Sequence, residues 1–257
     1  MSTVEGIENA TSVPDIATLL GVWAHPDDEA YLSGGLMALV RSRGGRVVVV
    51  TATRGEHGTD DPAAWPPERL GPLRERELRA SLAEVGVDEH RWLEYRDGGL
   101  ARVPLAQGAA DLVPVIEEVR PDVIVTFGPD GLTGHGDHRA VSAWTSAAWR
   151  QCGRPGELWH ATLTPGYHRD WAGLSAEVGL WMVTPPQPPE TPESDLSAQV
   201  LLSGPLLDRK HLALRAHASQ TRALEEQVGS QTYRQWWSTE SFVAADGREA
   251  SRTEEAA

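Results

Sequence analysis

Arg46-Val47-Val48-Val49-Val50-Thr51-Ala52-Thr53 reads as a strand with no polar face. Four valines in a row leave no side for water. An unbroken β-branched run of this length suits a strand buried on both faces, as in a parallel sheet covered by helices. The same texture recurs on either side, in Thr18–Trp23 (TLLGVW) and Asp122–Phe127 (DVIVTF), with a shorter strand at Arg91–Tyr95. Helical spacing fills the intervals. Glu29–Arg43 carries Leu32, Leu36, Leu39 and Val40 on one stripe, and Pro72–Val85 carries Leu73, Leu78, Leu82 and Val85. Ala106–Val119 and Asp137–Arg150 complete the series. Strands alternating with helices predict an α/β fold, a Rossmann-like and mostly parallel sheet with helices on both faces. Right-handed crossovers then bring the carboxyl ends of these strands to one side.

Beyond residue 150 the pattern loosens. Glu157–Leu163, Val178–Val183 and Ser197–Leu202 are expected to be strands, and Leu206–Gln220 a helix. Thr184–Pro192 (TPPQPPETP) reads as a proline-rich loop. Residues 1–15 and the acidic 246–257 read as disordered ends. Residues 16–245 read as one domain, with its motifs in 18–145 and a less regular, substrate-shaping part in 155–245. Arg54–Gly71 is a long polar loop of the kind that often carries function.

Composition narrows the function. The chain has 257 residues and a formal net charge of −14. That charge argues against nucleic acid or an anionic membrane as partner, since both need basic surface. No stretch is long and apolar enough to span a bilayer. One cysteine, Cys152, excludes an intrachain disulfide and a cysteine-built zinc knuckle, and a reducing, cytoplasmic setting is expected. A small-molecule substrate is the expected partner, with a homo-oligomer left open.

Two constellations fall at predicted strand ends. Ala24-His25-Pro26-Asp27-Asp28-Glu29 follows the first strand, and His135-Gly136-Asp137-His138 follows Asp122–Phe127. One aspartate of the first group has a bland reading as a helix N-cap. That leaves the histidine and the other carboxylate unexplained. A catalytic zinc needs three protein ligands and an open position for water. Two histidines and one aspartate supply them and leave a histidine and a carboxylate over for acid and base work. The spacing alone does not say which residue does which.

AHPDDE paired with H-x-D-H about a hundred residues later resembles the LmbE-like or PIG-L family of zinc-dependent de-N-acetylases. The resemblance covers residues 18–145 and extends more loosely to Lys210–Gln220 (KHLALRAHASQ). It implies a hydrolase that removes an N-acetyl group from an amino-sugar substrate such as an N-acetylglucosamine conjugate. It implies Zn²⁺, or Fe²⁺ or another divalent metal, on His25, Asp28 and His138. It also implies Asp27 as general base, His135 as protonated oxyanion stabiliser and acid, and Asp137 as the residue that orients His135. Arg74 and Asp97 are implied as contacts to sugar hydroxyls. Thr133 departs from the mycothiol branch of the family, which carries a tyrosine two residues before the first histidine of H-x-D-H. Two alternatives share this machinery: a zinc amidase acting on a thiol conjugate, and a catalytically silent metal-binding protein.

Overall fold

The computed structural model describes residues 13–182 and 189–246. Its first half alternates as the valine runs predict. β1 (Thr18–Trp23), α1 (Asp28–Ser42), β2 (Arg46–Thr53), α2 (Pro67–Glu84) and β3 (Glu89–Tyr95) are followed by α3 (Leu105–Val119), β4 (Val123–Phe127) and α4 (Gly136–Gln151). The second half contributes β5 (Glu157–Thr162), α5 (Pro165–Glu177), β6 (Ala198–Leu201), α6 (Gly204–Ala216), α7 (Ala218–Val228), α8 (Ser230–Trp236) and β7 (Thr239–Ala244).

All these strands join one seven-stranded sheet in the order β3-β2-β1-β4-β5-β7-β6. β1 pairs parallel with β2 and β4, β3 with β2, and β5 with β4. β7 runs antiparallel to both β5 and β6, so it alone opposes the sheet direction. The chain leaves β1 toward β2 on one side and later returns to β4 on the other. Strand order therefore reverses between β1 and β4. That reversal opens a crevice at their carboxyl ends, where open α/β sheets bind ligands.

Burial follows the sequence pattern. Val47–Val50 and Leu19, Leu20 and Val22 are shut off from water on both faces of the sheet. Trp23 meets Phe127 edge-on, with ring centroids 5.0 Å apart, and closes the core beneath the crevice. Each such apolar side chain contributes about 1.5–3 kcal/mol on burial.

Several boundaries differ from expectation. α2 begins at Pro67, five residues before Pro72, because Pro67 fits a first helical turn and Pro72, inside the helix, still lies near its start. The predicted helix over Leu206–Gln220 breaks at His217 into α6 and α7. Val178–Met182 is the turn leaving α5 rather than a strand, while Val183 lies outside the described residues. α5, α8 and β7 have no counterpart among the expected elements. Val13 and Ile16 pack into the core. Residues 1–12, most of the proline-rich stretch and 247–257 lie outside the described residues.

Candidate active site and metal centre

β1 delivers His25 into the crevice. Pro26 restrains His25 to an extended backbone, which ends the strand and delays the helix. Asp27 then turns the chain at φ 118° and ψ −31°, and its side chain caps nothing. A non-glycine residue at positive φ costs on the order of 1–3 kcal/mol and persists only when its surroundings enforce it. The enforcing contacts are present. The Asp27 backbone N–H donates to Glu29 Oε2 at 3.0 Å, and Asp27 Oδ2 accepts from Arg74 Nη2 at 3.1 Å. The N-cap reading of Asp27 therefore fails, and its carboxylate is left facing the crevice.

β4 delivers the second group. Phe127, its last residue, lies under His138 with ring planes 12° apart and centroids at 4.0 Å. His138 Nδ1–H donates to the Gly131 carbonyl at 3.0 Å. A neutral ring with its proton there keeps the Nε2 lone pair for a ligand. His135 ends the loop by capping α4, its Nδ1 accepting from the Asp137 N–H at 3.1 Å.

The two groups converge. His138 Nε2 lies 3.3 Å from His25 Nδ1 and 3.3 Å from Asp28 Oδ1, and His25 Nδ1 lies 3.5 Å from Asp28 Oδ2. Donors about 2.0–2.1 Å from a shared tetrahedral ion stand about 3.3–3.4 Å from one another, so this spacing fits a divalent metal. His25 also belongs to two wider donor groups, with His135 and His138 and with Asp97 and Asp137, each with its donor atoms within 4.8 Å. Its Nε2 lies 3.1 Å from Asp97 Oδ1 and 3.5 Å from Asp137 Oδ2, off the hydrogen-bond line. A single imidazole that gives Nδ1 to a metal keeps its proton on Nε2. The two aspartates are then its outer partners.

Electrostatics separate the adjacent carboxylates. Burial raises Asp27 to about 6, with Arg74 opposing and Asp28 adding to the rise. Burial pushes Asp28 up as well, but His138 and His25 outweigh it and bring it down to about 2. Burial lowers His138 to about 4. Burial, and then the neighbouring His25, also push His135 below its ordinary value.

Arg74 and Asp97, implied as contacts to sugar hydroxyls, are both buried beside the site and hydrogen-bonded within the protein. Arg74 is buried and donates to the Pro26 carbonyl, to Gly55 O at 2.8 Å and to Asp27. Gly55, at φ +60°, makes room for it, since a Cβ there would lie 2.2 Å from Nη1. Asp97 Oδ2 accepts from the His57 N–H at 2.9 Å, and its own N–H donates to Glu56 Oε1 at 3.0 Å. Asp137 spreads over the same turn, accepting from Gly98 N–H at 2.8 Å and Leu100 N–H at 3.1 Å. Thr133 Oγ1 lies 3.5 Å from His138 Nδ1, and no tyrosine stands in its place.

Glu29 and His217 are both fully buried, and both bear on Asp27. Tyr167 and His168 have their polar tips engaged by Trp236 Nε1 (2.7 Å) and the Pro189 carbonyl (3.1 Å).

A strand-end crevice where His25, Asp28 and His138 converge beside a carboxylate of raised pKa, with donor groups around His25 able to hold a metal ion, fits a hydrolase of the de-N-acetylase class. The chain belongs to the PIG-L, or GlcNAc-PI de-N-acetylase, family, whose model matches residues 20–149. A relative from Rhodococcus erythropolis, named 1D-myo-inositol 2-acetamido-2-deoxy-alpha-D-glucopyranoside deacetylase, is 34% identical over 239 residues. That match covers 79% of this chain and 80% of the relative. The N,N'-diacetylchitobiose deacetylase from Pyrococcus horikoshii has the same fold, with a TM-score of 0.61, 21% identity and coverage of 91% of this chain and 85% of that one. So does a teicoplanin deacetylase, Orf2, solved in a zinc-inhibited form, with a TM-score of 0.62, 16% identity and coverage of 89% and 99%. No helix among the described residues is long and apolar enough to cross a membrane.

Proposed function

We propose that this chain hydrolyses the acetamide of a small N-acetylglucosamine conjugate, with His25, Asp28 and His138 holding one divalent metal and Asp27 as general base. The observation that carries the reading is Asp27 itself. It is a strained, Arg74-held carboxylate raised to about 6, adjacent in sequence to a carboxylate lowered to about 2. Environments that push two neighbouring groups apart in this way separate a base from a ligand. The substrate class rests on the relatives' named activity.

A divalent ion held by His25, Asp28 and His138 would supply Lewis acidity and would lower the pKa of water in the site toward about 7. Asp27 accepts the proton of the attacking water as its oxygen bonds to the acetamide carbon. His135 then takes a different part from the one its family resemblance implies. Its Nδ1 accepts from the Asp137 N–H, and burial disfavours its charged form, so the resting ring is neutral with its proton on Nε2. A neutral imidazole can donate that Nε2–H to the developing oxyanion, but it is a poor acid. Asp27 therefore passes its proton to the departing nitrogen as the C–N bond breaks, and acetate and a primary amine leave. Asp137 keeps His135 turned by donating its backbone N–H.

The test is amine and acetate release from a panel: an N-acetylglucosaminyl-inositol, simple N-acetylglucosamine glycosides and an N-acylcysteine conjugate. Stoichiometric acetate and amine from the sugar conjugates, with Asp27→Asn lowering kcat by about 10²–10⁴ at unchanged metal content, is the expected result. Cleavage of the thiol conjugate alone would move the chain to the amidase alternative. Bound metal with no hydrolysis of any member would make it a silent binder.

A further inference from the structure

The strained turn at Asp27 is braced from outside the segment that matches the family model. Glu29 is completely buried in the first turn of α1, and its two oxygens face different ways. Oε2 accepts the Asp27 backbone N–H at 3.0 Å. Oε1 accepts from His217 Nε2 at 2.7 Å and from Ser81 Oγ at 3.3 Å. His217 is likewise fully buried. It sits at the break between α6 and α7, and the break fixes it. Its carbonyl accepts from the Gln220 N–H (2.8 Å), the Thr221 N–H (3.0 Å) and Thr221 Oγ1 (3.1 Å).

We propose that His217 is a positioning residue for the reaction: it holds Glu29, and Glu29 holds the Asp27 backbone at the φ that aims its carboxylate at the acetamide. The proposal rests on the assignment of Asp27 as the base. His217 is shut off from solvent, and its hydrogen-bonded route to the Asp27 backbone runs through Glu29. Two elements of unequal origin therefore clamp one residue. Arg74 of α2 holds the Asp27 side chain, and the α6–α7 break holds its backbone. This gives the C-terminal helices a chemical task, because the other donor to Glu29 Oε1, Ser81 of α2, stands farther off at 3.3 Å against 2.7 Å for His217. A buried carboxylate without such a donor turns toward another partner or loses its hold. Asp27 would then relax toward ordinary negative φ and swing its carboxylate away.

Substitution separates this role from plain packing. Glutamine places its amide where the histidine Nε2 lies, so His217→Gln keeps the donor. His217→Ala removes it, and His217→Asn, whose shorter amide falls short of Glu29, serves the same purpose if the alanine protein does not fold. Each protein is assayed for kcat, KM and metal content, and amide hydrogen exchange is followed at Asp27, Ala30 and Tyr31. The expected result is a loss of kcat of about 10–100-fold in His217→Ala or His217→Asn, with KM and metal content near the parent's. His217→Gln stays within about threefold of the parent, as expected where a conservative variant restores the hydrogen bond. Asp27 exchange quickens in the donor-less variants, while Ala30 and Tyr31, which donate to the Asp27 carbonyl at 3.0 Å, stay protected. The proposal is overturned by an unchanged kcat, by loss of metal in step with activity, or by a glutamine variant as impaired as the alanine one. Exchange at Asp27 reads the brace without turnover. A parent that hydrolyses no acetamide yet shows the exchange pattern thus breaks the functional reading and leaves the brace standing.

Discussion

Asp97 shows how one residue's task depends on what faces it. A turn aspartate in Arg96-Asp97-Gly98-Gly99 has the composition of a surface turn or a sugar contact. In the structure one oxygen lies 3.1 Å from His25 Nε2 and the other accepts a backbone N–H. A carboxylate behind a ligand histidine fixes the ring and raises its basicity toward the metal. Asp97→Asn should therefore weaken metal binding by about 10–100-fold while KM stays close to the parent's. Competition against a chromogenic chelator reads the first quantity, and steady-state kinetics at saturating metal read the second. A raised KM with unaltered metal affinity would return Asp97 to the role of sugar contact. Arg74 is parallel: its Nη1 and Nη2 donate to three oxygens of the protein, one of them on Asp27, and its charge acts there.

α1 carries Asp28 and Glu29 in its first turn, and a buried ion pair reaches its middle. Glu240 of β7 takes the N–H groups of Gly35 (2.7 Å) and Leu36 (2.8 Å), while Lys210 Nζ of α6 donates to the Tyr31 carbonyl (2.8 Å) and to Glu240 (2.8 Å). Charged side chains thus enter the hydrogen-bond ladder of the helix, a recognised cause of local bending. Gly34 lies against the Lys210 stem, where a Cβ would meet Cγ at 3.4 Å, and Gly35 makes room for Leu202, which a Cβ would meet at 2.5 Å. The pair is wholly buried, and burial lowers the Lys210 pKa against the pull of Glu240. Removing one partner of a buried pair strands the other. Lys210→Met should cost about 3 kcal/mol of stability in urea unfolding, whereas a purely packing role would leave the unfolding midpoint nearly unchanged.

At the scale of the molecule, the reversal of strand order between β1 and β4 creates the centre. Neither motif holds three suitable donors in the right geometry alone, and the β1–β4 pairing places them edge to edge. A metal bound only by the folded arrangement stabilises it by mass action, about 2.7 kcal/mol at a free concentration one hundred times Kd. Chelator treatment should accordingly lower the thermal midpoint and abolish hydrolysis, and re-addition of a divalent ion should restore both. A midpoint indifferent to chelation would mean that the trio holds no ion in the folded protein.

Hydrophobic patterning alone settled the parallel part of the sheet, because a run such as Val47–Val50 has few other ways to leave water. It also located both motifs at strand ends, since apolar runs stop where polar groups begin. The second half was less legible. β7 is antiparallel, and α5 and α8 are short and weakly patterned, so tertiary packing rather than periodicity places them. Within the site, residue types and spacing pointed to donors for a metal, with a carboxylate and an imidazole to spare. Only the tertiary structure turned His25 Nδ1 toward Asp28 and His138, made His135 a helix cap with Nδ1 occupied, and drew Arg74 and Asp97 inward. It alone set His217 behind Glu29, 188 positions away along the chain. The physical reason is common to these cases. Burial patterns are written locally along a chain, whereas hydrogen-bond partners and the charges that shift a pKa are chosen across the fold.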